Sequence, residues 1–275
     1  MSNTFNINRF GKYLKYDLVS CWKENRTFLL TLALIPVIIY FTTVFYGLMT
    51  KGLSVFINMA ARPVLPARIS VFSIVAVIFV IFFPARSYGF ITEKAKGSAW
   101  VELPASRFEK FLSMMLICLV IMPLAFFCTY LLSDAVVCLA DSKCGTPIFS
   151  SWMGWGEMLK TESPVTLGGN GLWIIVATVL SFMSIFLLGA LLFKKKKVLG
   201  TILALFILSI VSSLFGSIFI KSVGPDSIGR FFSDWAYNHA DNLAFWINFW
   251  GNVGTAIVVI GCGIWSWFRI KRVQH

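Results

Sequence analysis

The chain has 275 residues, of which 58% are hydrophobic and 13% charged, and its formal net charge is +12. So much apolar content with so little charge excludes a soluble globular domain and sets the class as membrane protein. The excess of base is no nucleic-acid footprint, because it is gathered in alternate gaps between long apolar runs.

From the N-terminus, residues 9–26 carry Phe10, Leu14, Leu18, Cys21 and Trp22 at spacings of three to four, with Lys12, Lys15 and Lys23 set off from them. This pattern predicts an amphipathic helix, either lying in the membrane interface before the chain turns inward or extending the first span into water. A polar, basic stretch ahead of the first apolar run, with no small-residue cleavage site after it, is not the pattern of a cleavable signal peptide. Apolar runs of spanning length then follow at about 28–49, 68–90, 111–132, 172–193, 198–220 and 243–268. All but the second are uncharged. The second is clear of charge only between Arg68 and Arg86, a length that spans if both arginines snorkel to the surface. The expected fold is therefore all-α and polytopic, a single transmembrane domain of six helices with an N-terminal interfacial helix. No gap between spans is long enough for a separate folded domain.

Between the second and third runs lies the most informative segment. Pro104 should break the chain there, Ser106 is placed to cap a new helix, and Glu109 sits where a capping box needs it. Trp100 and Leu103 precede the break, and Phe108 and Phe111 follow it. The gap from Asp141 to Asn170, with its glycines, prolines and tryptophans, predicts an irregular cap on the headgroups. The aromatic-rich segment from Lys221 to Asn242 predicts a stretch that dips back into the interface.

Seventeen Lys and Arg residues fall before the first run, between the second and third, between the fourth and fifth, and after the sixth; seven fall in the other gaps. By the positive-inside rule the richer side is cytoplasmic, which places both termini inside the cell. Cys138 and Cys144 would both lie outside, where a disulfide between them is open; the other cysteines read as small core residues.

The sequence has no Gly-x-x-x-x-Gly-Lys-Ser/Thr phosphate loop, and its only histidines are His239 and His275. Hydrolysis of ATP by that route, a histidine metal site and a Ser-His-Asp triad are thereby excluded, and His239 reads as a surface residue of the outer loop. Every run is free of Asp, Glu, Lys, Arg and His at its centre, which argues against an ion-driven carrier.

The segment Glu93-Lys-Ala-Lys-Gly97-Ser98, followed by Leu103-Pro104-Ala105-Ser106-Arg107, resembles a signature of the type-2 permease subunits of ATP-binding-cassette exporters, with wording nearest a Bacteroidetes-like branch. The interval from Gly97 to Pro104 is shorter than in the common form, and Ala-Trp-Val-Glu stands where that form has a Leu-rich stretch. Six spans, an interfacial helix before the first and a dipping segment between the fifth and sixth belong to the same pattern. The resemblance implies a non-catalytic permease subunit of a bacterial inner membrane, energised by a separate ATPase subunit that carries the ATP and Mg, with no cofactor in this chain. It implies that Glu93, Gly97, Trp100, Glu102, Leu103, Pro104, Ser106, Arg107, Phe108 and Glu109 form the coupling element. A second permease subunit and membrane lipid are the further partners it implies, and nucleic acid is not one. The alternative is a membrane anchor or assembly scaffold that uses the same loop to hold a soluble protein. An intramembrane enzyme has no catalytic pair in the spans to support it.

Overall fold

A computed structural model describes residues 5–51, 64–141, 144–150, 171–223, 230, 233–235 and 243–272. Among the described residues every regular element is helical. In chain order the main helices are α1 (Ile7–Ala33), α2 (Ile35–Lys51), α3 (Leu65–Tyr88), α4 (Lys94–Glu102), α5 (Arg107–Leu116), α6 (Met122–Ala140), α7 (Gly171–Leu192), α8 (Lys197–Val223) and α9 (Leu243–Arg272). A 3-10 turn, Gly89–Thr92, follows α3, and a π-helical turn, Ile117–Ile121, joins α5 to α6. Five helical stretches among the described residues are long and apolar enough to cross a membrane: Ile7–Thr50, Leu65–Thr92, Arg107–Ala140, Lys197–Ile218 and Phe249–Arg272. The chain is a multi-pass membrane protein. Val176–Leu192, the part of α7 whose side chains are described, is a shorter apolar helix within the 22 residues of α7.

The expected change of direction between residues 26 and 28 does not occur. The α1 helix continues to Ala33, and Leu34 links it to α2 with bonds from Leu34 N to Leu30 O and from Ile38 N to Leu34 O, each 3.0 Å. Pro36 has no N–H for Leu32 and its ring crowds that carbonyl, which accounts for the single irregular residue. The stretch Ile7–Thr50 has 44 residues. At 1.5 Å per residue it is about 66 Å long, roughly twice the ~30 Å of a hydrocarbon core, so its polar first half projects beyond the apolar layer.

The face that α1 buries also differs from the expectation. Phe10, Leu14 and Leu18 are half-buried, and the most enclosed stripe is Tyr13, Asp17, Cys21, Asn25 and Leu29 at intervals of four. Polar groups reach the interior because they have partners there. Asp17 Oδ2 accepts from Ser113 Oγ at 2.6 Å and from the Tyr88 hydroxyl at 3.3 Å. Asn25 Nδ2 donates to Ser87 Oγ at 3.0 Å and to the Cys21 carbonyl at 2.9 Å. Buried polar groups that are hydrogen-bonded fix helix register where greasy contacts alone would slide.

An aromatic column fills the centre. Phe79 stacks on Phe126 with ring centroids 4.4 Å apart, and Phe72 meets Tyr130 at 4.9 Å. Helix α7 packs against α3, α8 and α9. Its close approach to α8 requires Gly189, since a Cβ there would overlap the Thr201 side chain.

Contacts gather four chain segments at one end of the bundle, hereafter the basic end. The start of α1 meets the start of α5 through Arg9 and Glu109. The end of α9 meets α5 through Arg107 Nη1 and the Lys271 carbonyl at 3.2 Å, and the start of α8 meets the 3-10 turn through Lys197 and Glu93 at 2.8 Å.

At the opposite end Arg68 does not snorkel. It is buried, with Nη1 3.2 Å from Asp134 Oδ1, and it also bonds Cys138 Sγ and the Thr146 carbonyl. Asp134 Oδ2 accepts from Ile148 N at 2.9 Å, so the carboxylate joins α3, α6 and the segment after α6. Snorkelling leaves a charge in water, whereas here the partner lies inside and the charge follows it. Cys138 and Cys144 are free thiols beside this arginine. Most of the loops expected as an outer cap and as a dipping segment, with His239 and His275, lie outside the described residues.

Candidate functional site

The segment from Glu93 to Lys110 folds into a short helix, a break and a capped restart. Helix α4 ends at Glu102 because Pro104 cannot continue it, and Leu103 before the proline takes an extended ψ of 139°. Ala105 N then bonds Leu103 O at 2.8 Å, which tightens the break. At the restart, Glu109 N donates to Ser106 Oγ at 3.2 Å while Ser106 N donates to Glu109 Oε2 at 2.8 Å, the expected capping box.

Glu109 does more than cap its own helix. It is 0% exposed, and its Oε1 accepts from Asn6 N at 2.9 Å, so one carboxylate terminates two helices. Arg9 completes the arrangement in a two-pronged pair, Nε to Oε2 and Nη2 to Oε1, each 2.8 Å. Asn6 in turn caps α1 by accepting from Asn8 N and Arg9 N. The Arg9 guanidinium and the two backbone donors hold the Glu109 carboxyl down to about 2, against an opposing push from burial.

Lys110 lies beside it, just ahead of the apolar run that begins at Phe111. Its Nζ donates to the carbonyls of Trp100 at 2.8 Å and Val101 at 3.0 Å, and sits 5.1 Å from the centre of the Trp100 ring. A cation on the last carbonyls of a helix complements its dipole and holds α4 against the first turn of α5. Burial, with Arg107 nearby, pushes Lys110 down to about 8.

The ten residues named from the sequence divide into two groups. Gly97, Trp100 and Glu109 are buried and Leu103 and Ser106 half-buried, so they build the element. Glu93, Glu102, Pro104, Arg107 and Phe108 are exposed and offer a surface. Trp100, at 6% exposure, belongs to the core cluster and in this conformation offers no surface anchor. Glu109 likewise has its oxygens committed within the chain and is not free to face a partner. Phe108 is 46% exposed and packs edge-on against Phe5 at 5.9 Å and Trp267 at 5.8 Å. Val101, which sequence reasoning passed over, is exposed at the end of α4.

Also missed was Asp17, an acid on the polar half of an amphipathic pattern. Its signal was its register with Tyr13 and Cys21, four residues to either side. Asp17 and Glu24, with Tyr13, Tyr16 and Trp100, line a cleft of about 260 Å³ between α1 and α4. This cleft can receive a basic or apolar side chain. No group of three or more metal-ligating side chains occurs among the described residues.

Scans of the chain against protein-family models, curated proteins and solved structures return no match.

Proposed function

We propose that this chain is the transmembrane permease subunit of an ATP-driven exporter in a bacterial inner membrane. It crosses the bilayer six times with both termini cytoplasmic, and a separate ATPase subunit acts on the element from Glu93 to Lys110. The observation that carries this reading is mechanical. Lys110 ties α4 to α5, Glu109 ties α5 to α1, and α5 runs through one π-turn into α6 with no flexible linker. A force applied at Val101, Glu102, Pro104, Arg107 and Phe108 would therefore move the first and third spans together. Rigid elements of this kind transmit the movement of a docked subunit, where a loose loop would absorb it. The basic end also collects the sequence's excess of Lys and Arg, which supports its cytoplasmic placement.

The second reading, an anchor for a soluble partner, rests on the same exposed surface. The two are separated by purifying the chain with any associated P-loop ATPase and measuring vanadate-sensitive ATP hydrolysis in lipid nanodiscs. The transport reading expects hydrolysis that falls when Phe108→Asp is introduced. Hydrolysis that is unchanged by Phe108→Asp while the partner stays bound supports the anchor and contradicts coupling.

A further inference from the structure

At the basic end, α9 presents Gly261, Ile264, Trp265, Phe268, Arg269 and Arg272 along one side, at spacings of one, three and four residues. With Leu192 of α7 these residues line an open groove of about 570 Å³. Its volume falls in the range of roughly 300–1,000 Å³ typical of ligand sites. Its lining changes character along its length. The part nearer the middle of α9 is apolar and begins at Gly261, which leaves open space where a side chain would stand. The end is cationic, and none of the described residues lining it is acidic. Arg269 is fixed by an Nε–H bond of 3.3 Å to the Leu191 carbonyl, which leaves its other nitrogens for an anion and seats the guanidinium between the two helices.

An apolar channel that ends in two arginines, at the polar edge of a membrane helix, has the charge and polarity pattern of an acyl chain attached to a phosphate. We propose that this groove binds an anionic phospholipid, its phosphate between Arg269 and Arg272 and an acyl chain along Gly261, Ile264 and Trp265. A guanidinium pairs with phosphate oxygens through two parallel N–H bonds, and basic sites between membrane helices suit anionic headgroups. The bound lipid touches both α7 and α9 and bridges them at the end where the other cationic segments gather. The site is separate from the surface at Val101 and Phe108 and stands whether or not an ATPase docks there.

The test is native mass spectrometry of the purified full chain in detergent, titrated with phosphatidylglycerol and phosphatidylcholine of the same acyl composition. Wild type is expected to retain phosphatidylglycerol preferentially. Arg269→Gln with Arg272→Gln should erase the preference, by about fivefold for each arginine, which is the attraction one basic residue near the surface exerts on an anionic leaflet. Gly261→Trp should reduce retention of the anionic lipid by filling the acyl part, and the open space at Gly261 means the fold tolerates it. Lys194→Gln with Lys195→Gln, which removes exposed charge from the neighbouring turn, should leave the preference in place. Equal retention of the two lipids by wild type would overturn the proposal. So would an equal loss in the lysine variant, which would mean general surface charge, and so would displacement by excess inorganic phosphate, which would mean an anion site without an acyl part.

Discussion

Glu109 is the residue on which the basic end is most dependent, because it accepts from the first turn of its own helix, from the first turn of α1 and from Arg9. Glu109→Ala should cost about 1–2 kcal/mol from the lost capping box alone, read as a lower midpoint in thermal unfolding of the detergent-solubilised protein. Its pH dependence has a definite sign. A carboxyl held at about 2 in the folded state and near the ordinary 4.3 in the unfolded state contributes stability that is complete above that ordinary value. The contribution declines as pH falls from there toward the folded value. Between pH 6 and pH 3 wild type should lose more stability than Glu109→Gln, and equal losses would remove the Arg9 pair from the account. Asp17→Ala strands the hydroxyls of Ser113 and Tyr88 in the interior and should cost about 1–3 kcal/mol. Ser106 and Glu109 were legible in sequence because a capping box is a local pattern of four residues. Arg9 was not, since it lies 100 residues from its partner. Trp100, an aromatic in a polar loop, carries no sign in sequence of which way it faces; the fold buries it.

Apolar run length marked where apolar helices lie, since the hydrocarbon thickness sets that length, but not where they end: the run at 111–132 belongs to a helical stretch that continues to Ala140, and the run at 28–49 to one that begins at Ile7. Sequence was also silent on which side of a helix meets the protein. On α1, whose first half projects beyond the apolar layer, Phe10, Leu14 and Leu18 are only half-buried and the enclosed stripe is marked instead by Asp17 and Asn25, polar groups whose partners lie on other helices. Arg68 shows the same limit: alone at the edge of an apolar run it suggests snorkelling, and only the fold brings Asp134 to it from 66 residues away. Arg68→Leu leaves that carboxylate buried without its cation and should destabilise by about 3–5 kcal/mol, whereas adding Asp134→Leu should recover much of the loss. A double-mutant cycle of unfolding midpoints checks this, and additive losses would contradict it. The crossing of α7 and α8 makes a parallel case. Gly189→Ala should cost about 1–3 kcal/mol by overpacking, and Thr201→Ala in the same chain should restore most of it by giving the new Cβ room.

Over the whole molecule, the two ends of the bundle are built differently. The far end is closed by a buried ion pair between helices, Arg68 with Asp134. The basic end is a set of helix starts and stops tied to one another by caps and charged hydrogen bonds around an exposed tip. A partner that moves this tip would shift α1, α5 and α6 as one, with the π-turn at Ile117–Ile121 the one irregular point on the path into the third span. The most direct measurement is site-specific photocrosslinking in intact membranes from a probe at Phe108, at Glu102 or, as a control, at Lys195. The account predicts that a soluble P-loop ATPase is captured from positions 108 and 102. Capture of that ATPase from position 195 alone would contradict it.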